Sequence, residues 1–208
     1  MSRPAKRRYV SQTRSEGADA TRESVLDAAK TLFVRHGIDR VTITQIAERA
    51  GVAVSTVYAL FKSKEGILRE LMRGALFGER FQAARAQLDG VTDPVRLIEL
   101  SAQVARAIYE GESTELGLMR GASAFSPALR KMEQEFEKLR YEMQEDRVKA
   151  LFAQSRQARG LDLDDARRIL WMYTSREIYR MLVHEAGWTP DRYQEWLSRT
   201  LLGALVRG

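Results

Sequence analysis

Between Thr42 and Leu68 the chain reads TITQIAERAGVAVSTVYALFKSKEGIL: two amphipathic segments pinched around Gly51, with a Ser-led helix start directly after them. Each segment is too short to persist alone as a helix in water, so the stretch is ordered only by what it packs against. Ile43, Ile46, Ala47 and Ala50 share one face of the first segment, and Val57, Leu60 and Phe61 return apolar side chains from the second. Ala47 is small enough for a close helix crossing, and Val52 fills the turn. Gly51 stands where the chain needs positive φ, which glycine adopts at no steric cost. The pattern predicts a helix-turn-helix with its second helix projecting outward. Ala53, Val54, Ser55, Thr56, Tyr58 and Ala59 are left facing away from the small core.

The rest of the chain reads as helices from Thr21 onward, with no convincing strand and no repeat. Val25, Ala28, Ala29, Leu32 and Phe33 form one stripe at helical spacing, stopped by Gly37. Thr42 and Gln45 make a capping box that starts the first hairpin helix. Ser63, Lys64 and Glu65 start another helix, predicted to reach about Leu88. Asp93-Pro94, Ser126-Pro127 and Thr189-Pro190 each place a capping side chain before a proline at the first helical position. After Ser126, Leu129, Met132, Phe136, Leu139 and Met143 recur in 3-4 spacing, with Glu133, Lys138, Arg140 and Glu145 as the solvated outer face. A last pair of helices is predicted at about 162–186 and 190–206. The expected fold is all-α: a basic arm over 1–20, a unit carrying the helix-turn-helix over 21–68, and a helical remainder over 69–208.

Charge sharpens the function. Residues 1–73 hold fourteen Lys or Arg against eight Asp or Glu, whereas residues 74–208 hold twenty of each, so the whole excess of +6 lies with the hairpin. Phosphate contacts dominate the affinity of DNA-binding proteins, and such a split suits a module that reads double-stranded DNA. Arg3, Lys6, Arg7, Arg8 and Arg14 would let the arm follow the backbone or the minor groove. Other classes are disfavoured. The 208 residues include no cysteine, hence no disulfide framework or thiolate metal site. No apolar run has the length of a membrane span and no secretion signal is evident, so a cytoplasmic protein is expected. His36 and His184 are the only histidines, each near a predicted helix end. Asp162, Asp164 and Asp165 suit a helix N-terminus. With no phosphate loop and no triad, the chain is read as neither enzyme nor metalloprotein, with no cofactor.

Thr42, Ile46, Ala47, Ala50, Gly51, Val52, Val57, Tyr58, Phe61, Lys64 and Glu65, preceded by the Val25–Gly37 helix, resemble the TetR-type (tetracycline-repressor-like) bacterial transcriptional regulators. The resemblance is specific over roughly residues 21–70, about a quarter of the chain. It implies a three-helix DNA-binding domain over 21–68 and a helical regulatory and dimerisation domain over 69–208, in a homodimer that binds a palindromic operator and lets go when a small molecule of unknown identity enters the C-terminal domain. By position, Thr42 would cap its helix and touch a phosphate, while Val54, Ser55 and Thr56 would face base edges. Tyr58 and Lys64 would bind phosphates, with Lys62 assisting. Ala53 departs from the Ser or Thr often found at that cap.

In the regulatory half, Met119, Phe125, Met143, Trp171 and Tyr173 are candidates for lining a ligand cavity. Arg176 lies on the stripe of Ile169, Met172 and Tyr173, placed either for an anionic ligand or for an interface ion pair. The segment 162–186 is apolar nearly all round, which predicts burial on both sides. Ile178, Met181 and Leu182, with Trp196, Leu197, Leu201 and Leu205 of the last helix, are therefore expected to form a four-helix dimer interface. A ligand-sized cavity would separate an effector-controlled regulator from one switched by a protein partner, which would have a filled core.

Overall fold

A computed structural model describes residues 5–110 and 127–207, with the side chains of 5–16, 75, 128 and 129 left out. The chain separates into two compact units: residues up to Arg73, with the beginning of the 127–143 helix, and the remainder from Gly74 on.

The first unit begins with α1 (Ala5–His36), a helix that starts sixteen residues before Thr21. The basic stretch expected to be an arm thus has helical backbone from Ala5. α2 (Ile43–Ala50) and α3 (Val54–Phe61) form the hairpin. Val25, Ala29, Phe33, Val41, Ile46, Ala47, Val57 and Phe61 make its core. As predicted, Thr42 caps α2: its hydroxyl accepts from the Gln45 N–H at 3.2 Å while Gln45 Oε1 accepts from the Thr42 N–H at 2.9 Å. Gly51 has φ +70°, and the Val52 N–H closes back on the Ala47 carbonyl at 3.0 Å, the 6→1 bond of a Schellman end.

α4 (Lys64–Phe77) starts at Ser63, whose hydroxyl accepts from the Gly66 N–H at 3.2 Å. Rather than running to Leu88, it breaks at Gly78 and the chain resumes as α5 (Glu79–Ala86). The reason is a close approach: a Cβ on Gly78 would lie 2.3 Å from the Gly74 carbonyl oxygen.

The second unit continues with α6 (Pro94–Glu110), α7 (Pro127–Met143), α8 (Glu145–Ala153), α9 (Leu163–Tyr173), α10 (Arg176–Tyr179), a π-helical turn (Arg180–Glu185) and α11 (Pro190–Leu205). The Asp93 and Thr189 caps stand where the prolines place them; Ser126 lies outside the described residues. The densest packing is α6 against α11; Ile98, Ala102, Ala105 and Tyr109 of α6 and Tyr193, Leu197 and Leu201 of α11 are all buried.

Two predictions fail here. The segment 162–186 is not one helix. It stops at Thr174, whose hydroxyl turns back to the Leu170 carbonyl at 2.6 Å, and Ser175 caps the next short helix. Leu197, Leu201 and Leu205 are not surface residues awaiting a partner, because all three are 0% exposed within the single chain. An amphipathic stripe does not say which neighbour covers it, and α6 covers this one.

Candidate nucleic-acid interface and interior site

The outward face of α3 follows from its spacing. Val57 and Phe61 point into the core, so Val54, Ser55, Tyr58, Ala59 and Lys62 form an exposed stripe along the other side. Tyr58 is 50% and Val54 37% exposed. Thr56 is half-buried and stands at the edge of the stripe. At the start of α3, Ala53 has extended backbone and makes no side-chain cap, and its carbonyl takes the Thr56 N–H at 2.9 Å.

Two cations flank α3 differently. Lys62 ends the helix with φ +66° and is exposed, its ammonium reaching the Ala59 carbonyl at 3.2 Å. Lys64 is drawn inward. Its ammonium donates to the carbonyls of Ile38 at 2.8 Å and Val41 at 3.2 Å, tying the start of α4 to the loop before α2. Two of its three donors are thus engaged inside the unit, which leaves one for the phosphate contact expected. The Thr42 hydroxyl is likewise engaged by Gln45. Further support comes from Ser24, bonded to the Ala50 carbonyl at 3.2 Å, and from Arg22, which lies over the Phe61 ring and pairs with Glu70 at 3.0 Å. Glu65, in the first turn of α4, is held below the usual carboxylate range by its own N–H and the Ser63 hydroxyl.

Sequence reasoning missed one residue here. A Cβ on Gly66 would fall 1.9 Å from the Phe61 carbonyl oxygen, so only glycine lets α4 start against the end of α3.

The interior of the second unit departs further from expectation. Arg140, predicted to be solvated, is buried, while Leu139 beside it is 41% exposed. The Arg140 guanidinium pairs with Glu137 at 2.6 Å and donates to the carbonyls of Trp171 at 2.8 Å and Thr174 at 3.2 Å. It caps the C-terminal end of α9, where a cation is favoured. The Tyr109 hydroxyl adds a bond to the Thr174 carbonyl at 3.0 Å. The break in the apolar segment is therefore held by groups from α6 and α7.

Beside this network lies a narrow pocket of about 20 Å³, walled by Phe81, Ser101, Ile108, Met143, Gln144 and Arg147 among others. An open cleft of about 330 Å³ shares Phe81, Val104, Met143 and Arg147 with it. Of the described residues proposed to line a ligand cavity, Met143 lines both of these spaces, and Trp171, Tyr173 and Arg176 line neither. Trp171 is at the surface, its indole N–H on Glu137 at 3.1 Å; Tyr173 packs against Trp196; and Arg176 starts the short α10. Met119 and Phe125 lie outside the described residues. Among the described residues, no group of three metal-ligating side chains is placed to hold an ion, and no helix is long and apolar enough to cross a membrane.

A glycine-pinched pair of short helices, the second presenting a polar stripe with exposed Tyr58 and Lys62, places the first unit in the helix-turn-helix class. Residues 25–71 match the family described as bacterial regulatory proteins, tetR family. Over that segment the chain is similar to the TetR-type regulators. The HTH-type transcriptional repressor KstR2 of Rhodococcus jostii strain RHA1 is 33% identical over 112 residues, which is 49% of this chain and 54% of that protein. The HTH-type transcriptional repressor BepR of Brucella suis biovar 1 is 30% identical over 98 residues, 47% and 46% of the two chains. The chain spans about half the length of these curated relatives. Among solved structures, NalD, the secondary repressor of the MexAB-OprM multidrug efflux pump in Pseudomonas aeruginosa, superposes with a TM-score of 0.67 at 25% identity, covering 92% of this chain and 98% of that one. The SmeT–triclosan complex gives 0.69 at 23% identity, covering 90% and 92%, a likeness of fold.

Proposed function

We propose that the chain is a sequence-specific DNA-binding repressor, working as a homodimer on a palindromic operator and released from it by a small molecule held in the second unit. The observation that carries this reading is the exposed stripe of α3. Ser55 and Val54 stand at the N-terminal end, where a recognition helix meets base edges, and Tyr58 and Lys62 are spaced along it to meet phosphates. One helix of eight residues reads too few bases alone, which favours a two-fold assembly.

The dimer surface is the apolar group left uncovered by the single chain. Met172 is 47% and Met181 44% exposed, with Trp171 close behind and Ile178, Leu182 and Trp196 half-buried. The effector reading draws on the neighbours: SmeT was solved with triclosan, and FadR of Bacillus subtilis with stearoyl-CoA. The narrow pocket in this chain is water-sized, so an effector would have to widen it.

The test is a mobility-shift selection on fragmented genomic DNA, followed by variants. Tyr58→Phe is expected to weaken every selected fragment about equally, and Ser55→Ala to relax one base position by about 1–3 kcal/mol. If both variants bind the selected DNA as the parent does, the α3 stripe is not the reading surface. Met181→Glu is expected to give monomers by light scattering, and an unchanged mass would move the interface elsewhere.

A further inference from the structure

Two arginines are buried in the second unit, and among the described residues only one has an acid. Arg140 has Glu137. Arg147, 9% exposed, donates to the Ser101 hydroxyl at 2.8 Å and, less closely, to the Met143 carbonyl at 3.4 Å, with no described carboxylate in ion-pair range. Burial, reinforced by the positive charge of Arg85, pushes its guanidinium down to about 10, which leaves it charged at neutral pH. A buried charge without a counter-ion is among the least favourable things a protein interior holds. At least two of the five N–H donors of this guanidinium are still open to a ligand.

Gln144, one helical turn before Arg147, adds an independent sign. It is buried, its amide N–H donates to the Thr174 hydroxyl at 2.8 Å, and its Oε1 has no hydrogen-bond partner. Turning the amide over does not help. The Thr174 hydroxyl gives its one hydrogen to the Leu170 carbonyl at 2.6 Å, so toward Gln144 it acts only as an acceptor. The orphan oxygen therefore needs a donor from elsewhere.

Arg147 and Gln144 both line the narrow pocket, and Arg147 also lines the cleft. Phe81, Val104 and Met143 complete the shared wall, and Met143 is the most adaptable of these side chains. At the cleft, Asp89 and Asp146 accompany Arg85. A pocket of about 20 Å³ takes one water and no organic group, so entry of a ligand requires the side chains it shares with the cleft to rearrange.

We propose that this place binds an amphipathic carboxylic acid bearing a hydroxyl or N–H near the acid group. The carboxylate takes the open donors of Arg147, the neighbouring O–H or N–H satisfies Gln144 Oε1, and the apolar tail lies along Phe81, Val104 and Met143 toward the cleft. This names the chemistry of the effector and rests on the reading of the second unit as effector-responsive.

Titration calorimetry on the full chain with 3-hydroxyoctanoate, octanoate and methyl octanoate tests it. Octanoate is expected to bind at least about tenfold more tightly than its ester, as a charge-assisted bond to a desolvated guanidinium requires, and 3-hydroxyoctanoate more tightly again. Arg147→Met should erase the preference for acid over ester and leave ester binding unchanged. Gln144→Leu should erase only the advantage of the hydroxyl. Equal binding of acid and ester, no binding of any of the three, or an acid preference that survives Arg147→Met overturns the proposal; equal binding of the two acids overturns the part given to Gln144. Should Arg147→Met not fold, the guanidinium resonances of Arg147 in the parent chain must shift with octanoate and not with the ester, and unmoved resonances overturn it as well. A mobility shift run alongside keeps the two readings apart. Operator binding without acid binding removes this site and leaves the DNA reading, whereas acid binding without operator release supports the site and removes its regulatory role.

Discussion

The two units carry their positive charge in opposite ways. The first 73 residues hold a net excess of six cations, and the structure leaves Lys62, Arg49 and Arg40 exposed. The remaining 135 residues are formally neutral, yet Arg140 and Arg147 are in their interior. Net charge thus marks the unit proposed to meet a polyanion from outside, and says nothing about which unit buries a cation. The units also hold together by different means. The hairpin is closed by backbone geometry: a capping box, a left-handed glycine and two helix ends in close contact. The second unit is closed by side chains that reach across 30 to 65 residues of sequence to one broken helix end at Thr174.

The largest expected effect tests the first of these means. Gly66→Ala would drive a Cβ into the Phe61 carbonyl oxygen, a backbone atom that cannot step aside, and should cost about 3 kcal/mol or more. Loss of the amide signals of α2 and α3 in an NMR spectrum would register it. Gly203 in α11 is the control, because a Cβ there meets nothing within 4 Å. Gly203→Ala should raise stability by about 0.5–1 kcal/mol through helix propensity. If the two substitutions behave alike, close approach is not what distinguishes the hairpin.

The second test is of the side-chain network. Arg140→Met removes the ion pair with Glu137 and the cap on the end of α9, and should lower stability by about 2–3 kcal/mol in denaturant unfolding. Arg147→Met removes a buried charge that has no acid, and is expected to leave stability unchanged or higher. Equal losses would mean that Arg147 is as much a structural residue as Arg140, and the contrast between them would go.

That contrast also explains what the sequence could reveal. Gly51, the Thr42–Gln45 box and the caps before Pro94 and Pro190 act within four residues, and all stand where their spacing puts them. The α3 stripe was legible for the same reason, since eight residues of helix fix their own two faces. Gly66 and Gly78 were not, because their need for a missing Cβ depends on where the chain passes afterwards. Arg140 occupies a position that reads as solvent-facing, and only the distant end of α9 turns it inward. Leu197, Leu201 and Leu205 were correctly read as apolar and wrongly given to a partner chain, since a stripe carries no label for its neighbour.

Lys62 sharpens the comparison at the edge of the hairpin. It holds φ +66°, a conformation that disfavours side chains with a Cβ by roughly 1–2 kcal/mol. Lys62→Gly should therefore stabilise the unit by about 1 kcal/mol while weakening operator binding. A stability gain with unchanged binding would remove Lys62 from the interface. A loss of stability would mean that its bond to the Ala59 carbonyl outweighs the strain.

The smallest effect is expected at Ala53, the cap that the recognition helix lacks. Its backbone is already extended, with φ −69° and ψ 146°, as a capping residue requires, and its side chain is exposed, so Ser adds an acceptor without moving anything. Ala53→Ser should raise the stability of the first unit by about 0.5–1 kcal/mol by taking one of the open N–H groups in the first turn of α3. Those N–H groups are also what a phosphate would use, so the two occupants compete. Tighter folding with weaker operator binding would show that the exposed amide end of α3 is itself a DNA contact, left uncapped by Ala53. Tighter folding with binding unchanged or improved would assign the anchoring to Tyr58 and Lys62 alone.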